Sequence, residues 1–503
     1  MHENHQYLRV GGNPVVVDLA AIPVLDYGRF YSQTTHILRN PDCRCVAYFV
    51  KPTSTTLDFF MAISDERNDI LLYRHQCEWH QALEALTAQL PAMHIYEREI
   101  AERYGVTFSN HPWLKPVRYP YNRVASEWMD SYPFYKIDGT ELHEVGVGPI
   151  HAGVIEPGHF RFICNGEKVL HLEIQLGYQH RGVETLLADG SSMLRKMIIS
   201  ENIAGDSAVS HGLAFALCAE ALADVAIHPQ LALERVIAQE LERIAVHIGD
   251  TAALCGDVAY QLGLVVCEAL RTVMINTTQF WCGNRFGKGL IRPAGTHYPI
   301  TAEVKAEVVK NLTKVRKEYL QLTETLFGLP SVLARFEGIG ELTTEQVRGI
   351  GAVGMAARMA NLERDVRRSN PYLAYTFFEH QSVVKDGGDV MARAELRSEE
   401  VAQSIDRILQ MLDGVDFDVK AATPNFSLQY RPNALVLSLV EGWRGEICHA
   451  AITDGSGAIA HYKVKDPSFH NWFALALAVR NQEISDFPIC NKSFNLSYCG
   501  NDL

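Results

Sequence analysis

The chain contains no Cys-x-x-Cys pair. Its 11 cysteines stand at positions 43, 45, 77, 164, 218, 255, 267, 282, 448, 490 and 499. An odd number of scattered thiols excludes the disulfide frameworks that staple small secreted domains. Long apolar runs are missing too. The stretch NWFALALAV at 471–479 is typical of the longest, far short of the roughly 20 residues a membrane-spanning helix needs. The start, MHENHQYLRVGGNP, has no basic segment leading into an apolar one, so no secretory leader is expected and a cytoplasmic address follows. Basic charge is in deficit. The 46 Lys and Arg against 59 Asp and Glu give a net −13, which argues against broad nucleic-acid binding. There is no internal repeat and no low-complexity tract.

What is present is ordinary globular material. The 503 residues are 47% hydrophobic and 21% charged, enough for a large core and for more than one domain. Residues 44–50 (RCVAYFV) and 57–63 read as strands. Residues 84–90 and 95–104 read as helices, and 111–122, with three prolines, as an extended exit. The apolar stretches 160–163 and 169–174 flank Asn165-Gly166 and read as a hairpin. Apolar residues at 233, 236, 237, 241, 244, 245 and 248 form a helical stripe. Residues 312–327 and 401–412 repeat it, and 458–464 returns to strand character. The expected class is α+β. A small α/β domain at 1–125 and a linker at 126–145 precede a mainly helical domain with small β elements at 146–503.

Some residues look like ligands in isolation. Cys43 and Cys45 fall on one face of a strand, with Arg44 on the other. His75, Cys77 and His80 in RHQCEWH have zinc-like spacing but read as a surface loop or helix face. Gly387-Gly388-Asp389 lacks the Lys-Ser/Thr of a phosphate loop.

Two long segments carry a family resemblance. YEREIAERYGVTFSNHPWLKP at 96–116 resembles the signature of the 30-kDa-type subunit of respiratory complex I. GPIHAGVIEPGHFRFICNGEKVLHLEIQLGYQHRGVETLL at 148–187 resembles the start of the 49-kDa-type subunit, and of the large subunit of formate-hydrogenlyase-type [NiFe] hydrogenases. QELERIAVH at 239–247, GNRFGKGLIRPA at 283–294, VVKDGGDVMARAEL at 383–396 and EGWRGEICH at 441–449 follow in the family's order. The resemblance covers nearly the whole chain as a fusion of the two subunit types.

In the hydrogenases of this family four thiolates from two Cys-x-x-Cys pairs hold nickel, which soft ligands suit. The resemblance places Ala204, Ser207, Ser468 and Asn471 at those four positions. None of them is a soft ligand, so a [NiFe] centre is not expected and no cofactor is expected in this chain. In the quinone-reducing relatives a second histidine and a tyrosine approach the headgroup. Here Ile155 and Gly205 stand at those positions, while the first histidine, His151, remains. The resemblance further implies catalytic weight for His180, Arg181 and Glu184 of the HRG-x-E element, with a pKa raised by burial for Glu184. Arg444 matches the arginine that overhangs the metal, or clamps a carboxylate such as Asp466. Asp206, His211, Asp466 and His470 are expected to line a polar pocket where the metal would sit.

The expected function is a core subunit of a membrane-bound oxidoreductase complex. Its expected partners are an iron–sulfur small subunit and a membrane-embedded subunit, on the cytoplasmic face. It would couple electron transfer to proton or substrate handling, with a small polar molecule or anion bound through Arg444 and His151. A quinone reductase with an altered headgroup site, an active hydrogenase and a non-catalytic scaffold are the alternatives.

Overall fold

The computed structural model describes residues 6–118, 132–151, 155–415, 417 and 423–503. The segment 119–131, with the end of the expected exit and the start of the linker, lies outside the described residues, as does 152–154 of the second family segment.

The first unit is a sheet of five strands. Arg44–Pro52, Thr56–Ser64 and Ile70–Glu78 run antiparallel as a meander, Leu8–Val10 extends the edge, and Val24–Leu25 pairs in parallel with Ile70–Glu78. Two helices, Tyr27–Leu38 and His94–Tyr104, flank it. Asp26 caps the first by accepting from the Arg29 amide. The second ends at Gly105, whose φ of 68° gives the left-handed turn that stops a helix.

Two expectations fail here. Residues 84–90 form a short strand end (Ala82–Glu84) and a 3-10 turn (Leu86–Ala88) in place of a helix. The buried carboxylate of Glu97 takes the amides of Leu86 and Thr87, which would otherwise feed a helix. RHQC belongs to the strand Ile70–Glu78, not to a surface loop. His75 and Cys77 point inward, and His75 Nδ1 lies 2.9 Å from the Leu25 carbonyl.

The second unit is mainly helical. Pro229–Asp257, Gln261–Cys282, Ala302–Leu326 and Val390–Leu412 pack against one another, and the buried inner helix Ala208–Leu222 lies between Pro229–Asp257 and the strands Ala434–Gly442 and Gly445–Thr453. Pro229 sits at the first helical position, where its missing N–H costs nothing. The Gly387-Gly388-Asp389 run is a helix start: Asp389 caps Val390–Leu412 through the Ala392 amide. Gly388 turns at φ 66°, where a Cβ would lie 2.1 Å from the Leu342 carbonyl.

Two small sheets complete it. Leu142–Val147, His159–Asn165 and Lys168–Gln175 form one, with the Asn-Gly hairpin as read. Ala434–Gly442, Gly445–Thr453 and Ile459–Lys465 form the other. Its fourth strand, Val15–Asp18, comes from the beginning of the chain and pairs with Ala434–Gly442. The two units are thereby tied by backbone hydrogen bonds as well as by side chains. No described helix is long and apolar enough to cross a membrane.

Candidate functional site

The former ligand positions converge where three elements meet. The helix Ala208–Leu222 begins just after Ala204 and Ser207, the strand Ile459–Lys465 ends at Asp466, and the helix Ser468–Ala478 follows. Ala204, Ser207, Ser468 and Asn471 are all buried. Their polar groups are engaged. The Ser468 hydroxyl accepts from the Ser497 amide at 2.9 Å. Asn471 accepts from the Val353 N–H and donates to the Val353 carbonyl, both at 3.1 Å. Ser207 Oγ lies 3.5 Å from Arg444 Nη1.

Nickel does not fit this set. A methyl, two hydroxyls and a clamped amide offer no thiolate. All 11 cysteines are free. Cys499 Sγ lies 3.4 Å from Ser497 Oγ, and Cys218 Sγ lies 3.5 Å from the His449 carbonyl. Among the described residues no group of three or more His, Cys, Asp and Glu side chains is placed to hold a metal ion.

Arg444 sits on the two-residue turn Trp443-Arg444 between paired Gly442 and Gly445. Its guanidinium lies 3.9 Å from the Trp443 ring centroid and grips Asp206 with two hydrogen bonds of 2.7 Å. The carboxylate it clamps is Asp206, not Asp466. Burial works against the Arg444 charge, but Asp206 overrides it and raises its pKa. Glu156 stands close by. Burial and the Asp206 charge push its carboxyl up against the pull of Arg444.

Asp466 instead starts a buried chain of hydrogen bonds. Asp466 Oδ2 lies 3.0 Å from His211 Nε2, and His211 Nδ1 lies 3.1 Å from His449 Nε2. His449 Nδ1 in turn lies 2.9 Å from the Tyr462 hydroxyl. One assignment of protons satisfies every link: Tyr462 donates to His449, His449 to His211, and His211 to the Asp466 carboxylate. Burial raises Asp466, but the His211 hydrogen bond overrides it and holds the carboxyl below its usual range. Burial and the neighbouring His211 keep His449 neutral. The chain ends in the core, where Cys218 contacts the His449 carbonyl at 3.5 Å.

The other expected residues lie apart from this chain. His470 faces away, with its ring 5.0 Å from Tyr96. Burial, with Lys465 and Arg364 nearby, lowers it to about 3. His151 bonds the Gly158 carbonyl at 2.9 Å. Arg181 donates to the carbonyls of Asn202 and Ile203 at 2.7 and 2.9 Å, steadying the loop before Ala204. His180 is lowered by burial and by Arg118.

Glu184 corrects the expectation of a raised carboxyl. It is buried, but Lys463 lies 2.8 Å away, Arg103 pairs with its other oxygen, and Val464 donates to it at 3.1 Å. Burial favours the neutral acid, and the three cations Lys463, Arg103 and Arg118 together overcome that and push the pKa down. Lys463 also binds Glu99 at 2.6 Å, and Arg118 pairs with Glu99. Glu184 is thus part of an ionic junction between the two units.

Another raised carboxyl near the site is Glu242, which the sequence reading passed over although it lies within QELERIAVH. It accepts from the amides of Val209 and Ser210, at 2.9 and 3.1 Å, at the start of the inner helix. Burial, reinforced by Asp206, pushes it up to about 8. It lines a cavity of about 30 Å³ with Gly205, Asp206, Arg271 and Arg285, room for about one water. A side chain at Gly205 would meet nothing within 4 Å.

Comparison with known proteins extends this description. Residues 257–434 match the family described as the 49-kDa subunit of respiratory-chain NADH dehydrogenase, and residues 35–136 match its 30-kDa subunit. Hydrogenase-4 component G of Escherichia coli is 25% identical over 437 residues, 83% of this chain and 75% of that protein. A carbon monoxide-induced hydrogenase of Rhodospirillum rubrum is 29% identical over 358 residues, 70% of this chain and 97% of that protein. A chain in the structure of the membrane-bound sulfane sulfur reductase, an archaeal respiratory membrane complex, superposes with a TM-score of 0.67 at 20% identity. The match covers 73% of this chain and all of that one.

Proposed function

Because the chain belongs to the complex I and group 4 hydrogenase superfamily, as a fusion of the 30-kDa and 49-kDa subunit types within a complex I-related oxidoreductase complex, we propose that it is a core subunit of that complex which handles protons, or a small polar substrate, at a centre without nickel. Its partners in this reading are an iron–sulfur small subunit, which carries the electrons, and a membrane-embedded subunit that anchors the assembly on the cytoplasmic face.

One observation carries the reading. The ligand positions have become part of a matched polar network, and the chain Asp466–His211–His449–Tyr462 leads away from them. An ordered donor–acceptor chain of this kind shifts protons by small moves of each hydrogen, without opening the core. In this chain His211 donates to the Asp466 carboxylate and accepts from His449, which fixes the orientation of both rings beside the site. Glu242, with its raised pKa, exchanges protons at the small cavity beside Asp206.

The test uses the purified complex. Elemental analysis is expected to find nickel far below one per complex, and stoichiometric nickel overturns the proposal. Replacing His211 by Asn is expected to slow turnover and alter its pH profile while assembly is kept. A second reading, a non-catalytic scaffold, is favoured by the burial of Tyr462, where the chain ends. Unchanged turnover in both His211→Asn and Glu242→Gln complexes would establish the scaffold and remove the proton role.

A further inference from the structure

A second cavity, of about 300 Å³, lies between the two units, away from the former ligand positions. Residues 38–45 and 89–93 of the first unit form one wall. Residues 345–353, Arg364 and His470 of the second form the other. Its volume is at the lower end for small-molecule pockets.

The cavity holds positive charge without a matching carboxylate. Arg44, Arg348 and Arg364 crowd it closely enough to repel one another. The buried carboxylate of Glu446 is already shared: Arg44 takes one oxygen at 2.9 Å and Lys465 the other at 2.6 Å. Arg364 donates to the Ala352 carbonyl at 2.9 Å. Neither Arg364 nor Arg348 has a carboxylate partner among the described residues. Glu345 also lines the cavity, but it is exposed. Burial and the neighbouring Arg44 pull Arg364 down to about 10, against the attraction of Glu446. A guanidinium without a carboxylate partner at the wall of a cavity offers charge-assisted hydrogen bonds to an anion.

His470 adds a directional signal. Its side chain is 3% exposed, and Nδ1 has no hydrogen-bond partner. Nδ1 is thus a buried polar atom without a partner at the cavity wall, beside Gly351, and in the tautomer that carries the proton on Nε2 it accepts a hydrogen bond. It calls for a ligand O–H close to the charge that the arginines hold. Opposite, Pro91, Met93 and Val353 offer an apolar surface.

We propose that this cavity binds a small organic anion carrying an O–H beside its charge, either an acid phosphate group or a 2-hydroxy carboxylate. Arg348 and Arg364 hold the charge, His470 accepts from the hydroxyl, and the rest of the molecule lies against the apolar wall. Because both units form the walls, the ligand also ties them together.

The experiment is calorimetric titration of the full-length protein at constant ionic strength with three probes: inorganic phosphate, malate and succinate. Malate differs from succinate by one hydroxyl. Saturable binding of phosphate identifies the acid phosphate class. Saturable binding of malate, about tenfold tighter than succinate, identifies the hydroxy acid. Arg348→Gln changes an exposed side chain and leaves the core intact, and it is expected to weaken the bound probe about tenfold. His470→Phe is expected to remove the preference for malate. No saturable binding of any probe, or binding unchanged by Arg348→Gln, overturns the proposal. Equal binding of malate and succinate without phosphate binding overturns the role of His470. None of these readouts involves turnover or nickel, so this proposal fails separately from the proton-handling reading.

Discussion

Replacing Glu184 separates a clamp from a proton carrier. Its carboxylate is met by Lys463 at 2.8 Å, by the Val464 amide at 3.1 Å and by Arg103. The side chains of Glu184 and Lys463 are 1% and 6% exposed, so solvent does little screening. Removing one partner of such a buried pair costs about 3–5 kcal/mol. Glu184→Leu falls toward the lower figure, because Lys463 keeps Glu99 at 2.6 Å. Glu184→Gln keeps the shape and an acceptor for Val464, and loses about 1.5–3 kcal/mol of charged hydrogen bonding. The pH dependence follows from the direction of the shift. The folded-state pKa lies below the unfolded value of about 4.3. The ionised group therefore contributes its stability above that value, and the contribution drains away as pH falls from there toward the folded value. In Glu184→Gln that acid-side loss is smaller. The assay is urea denaturation from neutral to acid pH, with hydrogen exchange read at residues 99–103 and 463–464. If Glu184→Gln keeps wild-type stability and acid response but loses turnover, the carboxylate carries protons and the clamp argument is wrong.

Three further perturbations test other parts of the structure. Glu242 has a folded pKa of about 8, raised by burial; the folded state holds a proton there that the unfolded chain has released above about 4.3, so stability falls as pH rises from there to 8 and then levels. Glu242→Gln is expected to flatten this slope in melting temperatures taken across pH 5 to 8, and an unchanged slope refutes the raised pKa. Glu400 accepts from Arg358 at 2.9 Å and Arg367 at 2.7 Å and bonds His247 at 2.9 Å; Glu400→Leu is expected to cost about 3–5 kcal/mol in the denaturation midpoint, far more than an exposed ion pair such as Arg316–Asp406. A Cβ at Gly354 would lie 2.1 Å from the Gly445 Cα; Gly354→Ala is expected to push the Trp443-Arg444 turn outward, cost about 3 kcal/mol or more, and quench or shift the fluorescence of Trp443, which an unmoved turn would leave alone.

The parts of the fold that the sequence made legible were those whose patterns are local. The Asn165-Gly166 turn and the stripe from 233 to 248 declare themselves within a few residues. The fused pair of subunit types was legible because its motifs run in register over hundreds of residues. The pairing of Val15–Asp18 with Ala434–Gly442 was not, because a strand carries no mark of its partner across more than four hundred positions. The site was half legible for the same reason. The missing thiolates could be counted, but which carboxylate Arg444 would grip could not. Asp206 wins because it sits in the loop directly before the inner helix, beneath the hairpin turn, whereas Asp466 is already committed to His211. Glu184 misled because burial alone raises a carboxyl; the cations that reverse the sign come from two distant segments, at 103–118 and at 463.

The positions that the family resemblance aligns with nickel ligands are bound into the surrounding backbone. Asn471 holds Val353 by both its N–H and its C=O. Val353 precedes Gly354, which packs on Gly445 so closely that no side chain fits between them. Gly445 closes the turn that presents Arg444 to Asp206. Asn471 therefore supports the arginine through three successive contacts. Ser468 does the same for the loop at Ser497, beside Cys499. Putting cysteine back at 471 would remove two buried hydrogen bonds and loosen the turn above them before any ion arrived. The polar network is thus the organising element of the centre, and its orientation from Tyr462 toward Asp466 gives it a direction that a packed apolar filling would lack.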